Sequence, residues 1–180
     1  MKWKGQRPIA LVGLMGAGKS AVAAVLAGRL GGVAADLDAM VEERARARVS
    51  EIFDREGESG FRRRESEALA AAIESDAAVL ATGGGVVLDP NNRTLLRERC
   101  CVVWLEVAPG EAARRLAADA ASRPLLAGGS LAARLETLLR ERAALYESVA
   151  EFRVPTGSLA PVEVAGAILA TVPPAPRGAP

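Results

Sequence analysis

The segment GLMGAGKS, from Gly13 to Ser20, has the residue types and the spacing that hold a phosphate group. It fits the pattern G-x-x-x-x-G-K-[ST] in full, and it follows a short apolar run and opens a helical pattern, as that motif requires. Glycines let backbone N–H groups curl around phosphate oxygens, and the following helix N-terminus favours negative charge. Lys19 would place a cation on the β- and γ-phosphates, and Ser20 would offer a hydroxyl to Mg²⁺. The motif predicts a nucleotide site but leaves the phosphate acceptor open.

Two acids, Asp36 and Asp38, follow the second short apolar run. They are two residues apart, so in an extended segment they lie on one side of the chain. One could hold Mg²⁺ through water, and the other could orient or deprotonate a hydroxyl group. Asp38 could instead cap the helix that follows it. An ATPase would usually carry its Mg²⁺ acid on a strand, but the run AAVLATGGG has none, and Glu106 is only a possible substitute.

Arginines and glycines along the chain could contact an anionic ligand. Arg62, Arg63 and Arg64 are consecutive in a helical pattern, so at most one or two of them face one ligand. Gly83, Gly84 and Gly85 end a predicted strand, which indicates either close approach of a ligand to the backbone or a tight turn. Arg123 lies in a loop flanked by small residues, as expected for a mobile lid. Arg142 and Tyr146 are one helical turn apart, either at a site or on a packing or exposed face.

The composition excludes several classes of protein. The 180 residues contain no histidine, so Ser-His-Asp and Cys-His catalysis and histidine-bearing zinc sites are excluded, and we expect a carboxylate as general base. The formal net charge of +1 provides no global field for nucleic acid or anionic lipid. No apolar run approaches the length of a membrane span. We expect Cys100 and Cys101 to be reduced thiols, which fits a cytoplasmic protein.

Strands that alternate with helices must position these residues. A buried strand is predicted at 8–13, and further strands are predicted at 32–38, 77–85, 100–107 and 152–156. Helices are predicted at 18–30, 89–99, 109–119, 131–149 and 160–172, with two or three more in 39–75, broken at Gly57 and Gly60. This alternation predicts an α/β fold with a parallel sheet covered on both faces, whose ligands bind beyond the carboxyl ends of the strands. We expect one domain over 1–172 and a disordered tail at 173–180.

Taken together, these segments resemble the shikimate kinase family, small P-loop kinases of the nucleoside-monophosphate-kinase type. The resemblance covers about residues 8–170 and rests on segments in the family's order and spacing, namely GLMGAGKS, DLDAMVEE, SEIFDREGESGFRRRESEAL, ATGGGVV, RPLLAG and RERAALY. It implies a P-loop kinase fold of three α/β/α layers around a five-stranded parallel sheet, with a mobile lid at about 115–130. It also implies transfer of the ATP γ-phosphate to the 3-hydroxyl of shikimate, in the shikimate pathway of aromatic amino-acid biosynthesis.

The resemblance implies a role for each matching residue. The catalytic residues would be Lys19, Asp38 and Arg123, with Ser20 and Asp36 at the Mg²⁺. The ATP contacts would be Gly16, Ala17, Gly18, Lys19, Ser20, Ala21, Arg115, Arg123 and Arg153. Asp38 would bind the shikimate hydroxyls, Arg62 and Arg142 would grip the carboxylate, and the backbone of Gly83, Gly84 and Gly85 would contact the ring. Phe53 and Phe61 would be pocket aromatics, and Glu65 would pair with an active-site arginine.

The chain departs from the family pattern at the nucleotide site. Family members often carry a basic residue about seven positions before the lid arginine, but that position is Leu116 here, with Arg115 beside it. Either Arg115 takes over this contact or one ATP contact is weak. Pro155 also stands where a polar residue is common.

The resemblance implies a monomer whose partner is a small molecule rather than nucleic acid or membrane. Two rival functions stay open at this point. One is a related kinase for another small acid, such as gluconate, and the other is an ATP-binding module without catalysis.

Overall fold

The strands form one parallel sheet. The computed structural model describes residues 7–117 and 130–172. Its strands are β1 (Ile9–Val12), β2 (Val33–Asp36), β3 (Ala77–Ala81), β4 (Cys101–Glu106) and β5 (Phe152–Pro155). They pair in the order β2-β3-β1-β4-β5, and every neighbouring pair is parallel. The predicted five-stranded parallel sheet is therefore confirmed, and the carboxyl ends of the strands meet at one edge.

Helices cover both faces of this sheet. They are α1 (Lys19–Leu30), α2 (Leu37–Ala45), α3 (Val49–Glu74), α4 (Pro90–Arg99), α5 (Pro109–Leu116), α6 (Leu131–Val149) and α7 (Pro161–Thr171). Side chains of β1 alternate between two cores, as the period of a strand requires. Leu11 packs in the core that holds Leu26 of α1 and Ile168 of α7. Val12 packs in the core that holds Leu69 of α3. The three-layer α/β/α architecture is confirmed.

The region 39–75 breaks at one of the two predicted glycines. Gly57 has φ 69° and ψ −176°, which kinks α3, and this break is confirmed. Gly60 lies inside the helix and is buried, so the predicted break at Gly60 is wrong. A second break falls between α2 and α3, where Arg46 ends α2 in the left-handed conformation with φ 50°. Sequence reasoning missed this break because a left-handed backbone is uncommon for arginine.

Two local predictions concern the start of α4 and the two cysteines. Asp89 caps α4 by accepting a hydrogen bond from Asn91 N at 2.7 Å, with Pro90 as the first residue of the helix, which agrees with the helix predicted at 89–99. Cys100 and Cys101 are both buried free thiols, and burial raises the pKa of Cys100 to about 12 and that of Cys101 to about 11.

No helix in the described part of the chain combines the length and the apolar character that a membrane crossing requires.

Candidate active site

The site lies where the strands β1, β2 and β3 end. A cavity of about 730 Å³ opens there, and its wall contains both the phosphate loop and the segment Gly83–Gly85. Of the residues predicted for the site, it is lined by Gly16, Gly18, Lys19, Ser20, Ala21, Asp36, Asp38, Arg62, Gly83, Gly84, Gly85 and Arg115. Phe53, Phe61 and Glu65 also contribute to the wall. Residues from segments far apart in the sequence therefore meet in one place.

The phosphate loop has the backbone shape that its glycines allow. Gly16 and Gly18 have φ values of 82° and 87°, which side chains disfavour. Gly18 directly precedes α1, and no side chain caps that end of the helix. The helix N-terminus therefore presents backbone N–H groups and a positive dipole to the cavity. Ala17, by contrast, is buried and does not line the cavity.

Lys19 is held inside this loop. The residue is 8% exposed, and its ammonium group donates hydrogen bonds to the carbonyl oxygens of Gly13 at 2.8 Å and of Leu14 at 2.9 Å. These bonds offset the cost of burying a cation. Lys19 also lines the cavity, so its charge lies beside the space that a phosphate would enter.

Asp36 links the phosphate loop to the second strand. Its Oδ2 accepts a hydrogen bond from the Ser20 hydroxyl at 2.5 Å. Its Oδ1 accepts from the backbone N–H of Asp38 at 3.0 Å and of Ala39 at 3.2 Å, so Asp36 caps α2. The alternative in which Asp38 is the helix cap is therefore wrong, because the extended residue before the first turn is Asp36. The Asp38 side chain lines the cavity instead.

The acceptor side of the cavity is built around a buried carboxylate. Glu65 is 1% exposed, and its Oε2 accepts from Arg62 Nη1 at 2.7 Å. Burial raises the pKa of Glu65, while the charge and hydrogen bond of Arg62 oppose this shift. Arg62 also pairs with Glu58 and lies 5.3 Å from the ring centroid of Phe61. Phe61 in turn packs on Phe53, with ring centroids 4.8 Å apart.

Arg142 lies behind this wall and does not line the cavity. It is 4% exposed, and its Nε and Nη1 atoms are buried without a hydrogen-bond partner among the described residues. Burial raises the pKa of Glu65 and raises that of Tyr146 to about 12, and the charge of Arg142 opposes both shifts, so Arg142 is close to both groups. Tyr146, one turn later on α6, donates a hydrogen bond to the carbonyl of Gly84. Arg142 therefore reaches the same cluster as Arg62 from a different helix.

Comparison with known proteins agrees with this geometry. A family model described as shikimate kinase matches residues 15–173. The chain is 43% identical to the shikimate kinase of Synechococcus sp. (strain CC9605), over 93% of this chain and 83% of that protein. It is 44% identical to the shikimate kinase of Bordetella avium (strain 197N), over 90% of this chain and 77% of that protein.

The chain belongs to the shikimate kinase family.

Solved structures support the assignment to this family. The shikimate kinase of Acinetobacter baumannii in complex with shikimate has a TM-score of 0.90 at 37% identity, and 94% of each chain is covered. A gluconokinase from Sinorhizobium meliloti 1021 covers 95% of this chain and 94% of its own, but with a TM-score of only 0.53 at 19% identity. That likeness shows the P-loop kinase fold alone.

Leu116 stands where the family pattern has a basic residue, and the neighbouring Arg115 reaches the cavity. Leu116 is 5% exposed and packs in the core with Ala112. Arg115, its neighbour, lines the cavity and donates to the carbonyl oxygens of Gly16 at 3.3 Å and of Gly157. The guanidinium of Arg115 is therefore in contact with the phosphate loop, as a replacement for the family's basic residue would be.

Among the predicted nucleotide residues that the structure describes, Arg153, like Ala17, does not line the cavity. Arg153 pairs with Glu147 and lies 5.0 Å from the ring centroid of Trp104, away from the cavity wall. Its role at the nucleotide stays a prediction. Arg123 and most of the predicted lid at 115–130 lie outside the described residues, as does the tail at 173–180.

Sequence reasoning missed two charged residues of the cavity wall, Arg48 and Glu42. Arg48 occupies the N-cap of α3, where Ser, Thr, Asp or Asn would be preferred. Two acids cap the helix instead. Glu42 Oε1 accepts from Val49 N at 2.9 Å, and Glu51 Oε2 accepts from Arg48 N at 2.9 Å. The spacing R-V-S-E at 48–51, with a glutamate three residues after an arginine that cannot itself cap the helix, is the signal that could have drawn attention to Arg48.

Proposed function

We propose that this protein transfers the γ-phosphate of ATP to the 3-hydroxyl of shikimate, giving shikimate 3-phosphate and ADP. One observation carries the proposal: a complete phosphate loop and an arginine–carboxylate cluster line the same cavity. A phosphate donor and an anionic acceptor would therefore be held side by side. Holding two reactants in the reactive geometry is a large part of catalysis in phosphoryl transfer.

The phosphate loop would bind and orient ATP. Backbone N–H groups at the N-terminus of α1 and the Lys19 ammonium would contact the β- and γ-phosphates, where negative charge develops during transfer. Lys19 would exchange its hydrogen bonds to Gly13 and Leu14 for phosphate oxygens. Arg115, which contacts the phosphate loop at Gly16, would also contact the nucleotide. Arg123 would contact the transferring phosphate.

Ser20 and Asp36 would hold Mg²⁺. Their oxygen atoms lie 2.5 Å apart, and a hydroxyl with a carboxylate is a donor set that suits this hard cation, which keeps several waters and phosphate oxygens as its other ligands. The bound ion would neutralise charge on the transferring phosphate. Asp36 would keep its second oxygen on the cap of α2, which fixes the carboxylate orientation.

Asp38 would orient the acceptor hydroxyl and take its proton. It lines the cavity, and its backbone N–H is fixed by Asp36. Arg62 and Arg142 would bind the shikimate carboxylate, since guanidinium groups match a carboxylate with parallel hydrogen bonds. The buried Arg142 N–H groups that lack partners among the described residues are suited to such an acceptor.

A release assay for ADP with several acceptors tests the proposal. We expect turnover with shikimate and little with its uncharged methyl ester, because the arginine cluster recognises a carboxylate. We also expect little turnover with gluconate, because its open chain does not hold a hydroxyl at a fixed distance from the carboxylate. Phosphorus NMR of the product would locate the new phosphate at the 3-hydroxyl. Turnover with gluconate alone would favour the related-kinase alternative. ATP binding without turnover of any acceptor would favour the non-catalytic module.

We further propose that the protein acts as a monomer. Apart from Arg123 and Arg153, the residues assigned to the reaction lie at or directly behind the wall of one cavity within a single chain. The oligomeric state is measured directly by sedimentation, and activity that requires a dimer would contradict the proposal.

A further inference from the structure

Gly83, Gly84 and Gly85 do not need to be glycine for their backbone conformation. None of them has a φ in the left-handed region, and Gly85 has φ −104° and ψ 1°. An alanine would therefore be accepted by the backbone at each position. The reason for the run of glycines has to lie in what surrounds it.

An added side chain at each of these glycines would meet a different part of the active site, as a clash at Gly83 and Gly85 and as a tight contact at Gly84. A Cβ atom on Gly83 would lie 2.2 Å from Glu65 Oε1 and 3.4 Å from Asp38 Oδ1. One on Gly84 would lie 3.3 Å from the backbone nitrogen of Met15, in the phosphate loop. One on Gly85 would lie 2.4 Å from Cζ, Nη1 and Nη2 of Arg62.

The contact at Gly85 has a defined geometry. Equal distances from one point to Cζ, Nη1 and Nη2 mean that the Arg62 guanidinium presents its flat face to Gly85. The same guanidinium donates to Glu65, whose other oxygen faces Gly83. The ion pair of Arg62 and Glu65 therefore rests on the backbone of this segment, and the absence of side chains makes room for it.

We propose that Gly83, Gly84 and Gly85 are positioning residues, each of which fixes a different part of the site by having no side chain. Gly83 makes room for the Glu65 carboxylate beside Asp38. Gly84 lets the end of β3 approach the phosphate loop. Gly85 seats the Arg62 guanidinium that faces the acceptor. This inference rests on the proposed function and assigns the segment a task besides backbone contact with the shikimate ring.

Alanine at each position should therefore change a different set of properties. In Gly85→Ala, the clash falls on the far end of a flexible side chain, so Arg62 moves and the fold is retained. Shikimate should then bind about tenfold to a hundredfold more weakly, as for the loss of a charged hydrogen bond, with ADP affinity unchanged. Gly84→Ala should weaken ADP binding more than shikimate binding. Gly83→Ala should weaken shikimate binding and lower kcat together, with ADP affinity unchanged, because the clash falls on Glu65, which pairs with Arg62 and lies beside Asp38.

A double-mutant cycle tests whether Gly85 acts through the position of the Arg62 guanidinium or through a general effect on the structure. If Gly85 acts through Arg62, then Arg62→Ala should cost less than about twofold in the Gly85→Ala background, because the interaction is already lost. Arg142→Ala should keep its full effect in that background. Were Gly85→Ala to fold poorly, Arg62→Ala should restore folding by removing the group that clashes.

Matched controls come from two other glycines of the chain. At Gly28 and Gly110, an added Cβ would meet no neighbouring atom of the described residues within 4 Å, and neither glycine has a left-handed φ. Gly28→Ala and Gly110→Ala should therefore leave both affinities and kcat unchanged.

Two results would overturn the proposal. One is an equal loss of all three properties in the alanine variants at positions 83, 84 and 85, and the other is normal shikimate binding in Gly85→Ala. A wild-type protein that binds ADP but not shikimate would contradict the proposed function instead. In that case, the ADP affinity of Gly84→Ala would still test whether Gly84 lets the end of β3 approach the phosphate loop.

Discussion

The two sides of the cavity differ in how their buried polar groups are satisfied. On the nucleotide side, the Lys19 ammonium donates to two backbone carbonyls, and the Ser20 hydroxyl donates to Asp36. On the acceptor side, Glu65 Oε1 and two nitrogen atoms of Arg142 are buried without a hydrogen-bond partner in the described part of the chain. The side chains of the phosphate loop thus have hydrogen-bond partners before a ligand binds, whereas the acceptor cluster contains buried side-chain atoms that have none in the described part of the chain.

This difference indicates where the site costs stability. A buried polar group without a partner costs about 1–3 kcal/mol, and more when it is charged. A ligand that carries a carboxylate and hydroxyls would supply the missing partners, so part of its binding energy comes from relieving this cost. On the nucleotide side, a phosphate would replace hydrogen bonds that already exist. Changes on the two sides should therefore separate into effects on rate, on acceptor affinity and on stability.

The largest effect is expected for Asp38→Asn. If Asp38 takes the proton of the acceptor hydroxyl, kcat should fall by about 10²–10⁴-fold, the usual contribution of a general base. Stability should hardly change, because Asp36 and not Asp38 caps α2. Steady-state kinetics and thermal unfolding measure the two quantities. A variant that loses stability but keeps its kcat would contradict the assignment.

Lys19→Ala should have the next largest effect on rate. Removing one group that stabilises charge in the transition state typically lowers kcat by about 10²–10³-fold. The fold should persist, because the change removes a buried cation along with its two hydrogen bonds to the loop. Arg29→Ala, on the exposed last turn of the same helix, is the matched control. A kcat near the wild-type value would exclude a phosphate-stabilising role for Lys19.

Arg62→Ala and Arg142→Ala should act on acceptor affinity. Each loses a charged hydrogen bond to the carboxylate, worth roughly 1.5–3 kcal/mol, so shikimate should bind about tenfold to somewhat over a hundredfold more weakly. Lysine at either position should restore binding only in part, since a point charge does not reproduce the planar fork. Calorimetric titration with shikimate and, separately, with ADP checks this. Loss of ADP binding instead would mean that the arginines serve the nucleotide.

The helices and strands and the nucleotide side of the cavity could be predicted from the sequence, because the patterns that indicate them lie within short segments of the chain. Short apolar runs, the glycine pattern of the phosphate loop and the Asp89-Pro90 helix start each depend on neighbouring residues. The sheet order and the split of β1 side chains between two cores depend on contacts between distant segments, which periodicity alone does not specify. The break at Arg46 was missed for a related reason, because a left-handed arginine leaves no mark in the composition.

The acceptor side was harder to predict from residue types. Consecutive arginines at 62–64 indicated only that one or two could face a ligand, and the structure selects Arg62 through Glu65 and Gly85. Asp38 was a plausible helix cap from its position before a helical pattern, and only the backbone geometry gives that task to Asp36. The wall residues Glu42 and Arg48 meet at the start of α3, where Glu42 bonds to Val49 N from seven residues away, a contact that residue types alone do not reveal.

A smaller effect, on stability, is expected at Asp36, which belongs to both the nucleotide site and the helix cap. Asp36→Asn keeps a good capping side chain but removes the charge beside Ser20, whereas Asp36→Ala removes both. Loss of a cap typically costs about 1 kcal/mol, so Asp36→Ala should be less stable than Asp36→Asn by about that amount. Both variants should lose activity with Mg²⁺. Chemical denaturation measures the difference, and equal stabilities would contradict the capping role.

The smallest effect should appear in the pH dependence of stability and tests the acceptor side directly. Burial raises the pKa of Glu65 in the folded protein, with Arg62 opposing the shift, so the folded chain holds this proton more tightly than the unfolded chain does. Stability from this group is then fully present below about pH 4.3, the ordinary pKa of a glutamate, and is lost as the pH rises through the folded value. Other carboxylates add their own slopes, so the informative quantity is the difference between wild type and Glu65→Gln, measured by denaturation at several pH values. Wild type should lose stability relative to Glu65→Gln as the pH rises through that window, and the Glu98→Gln variant, at an exposed position, is the matched control. A difference that runs the other way would mean that Arg62 and Arg142 outweigh burial, and that the acceptor side is as well satisfied without ligand as the phosphate loop.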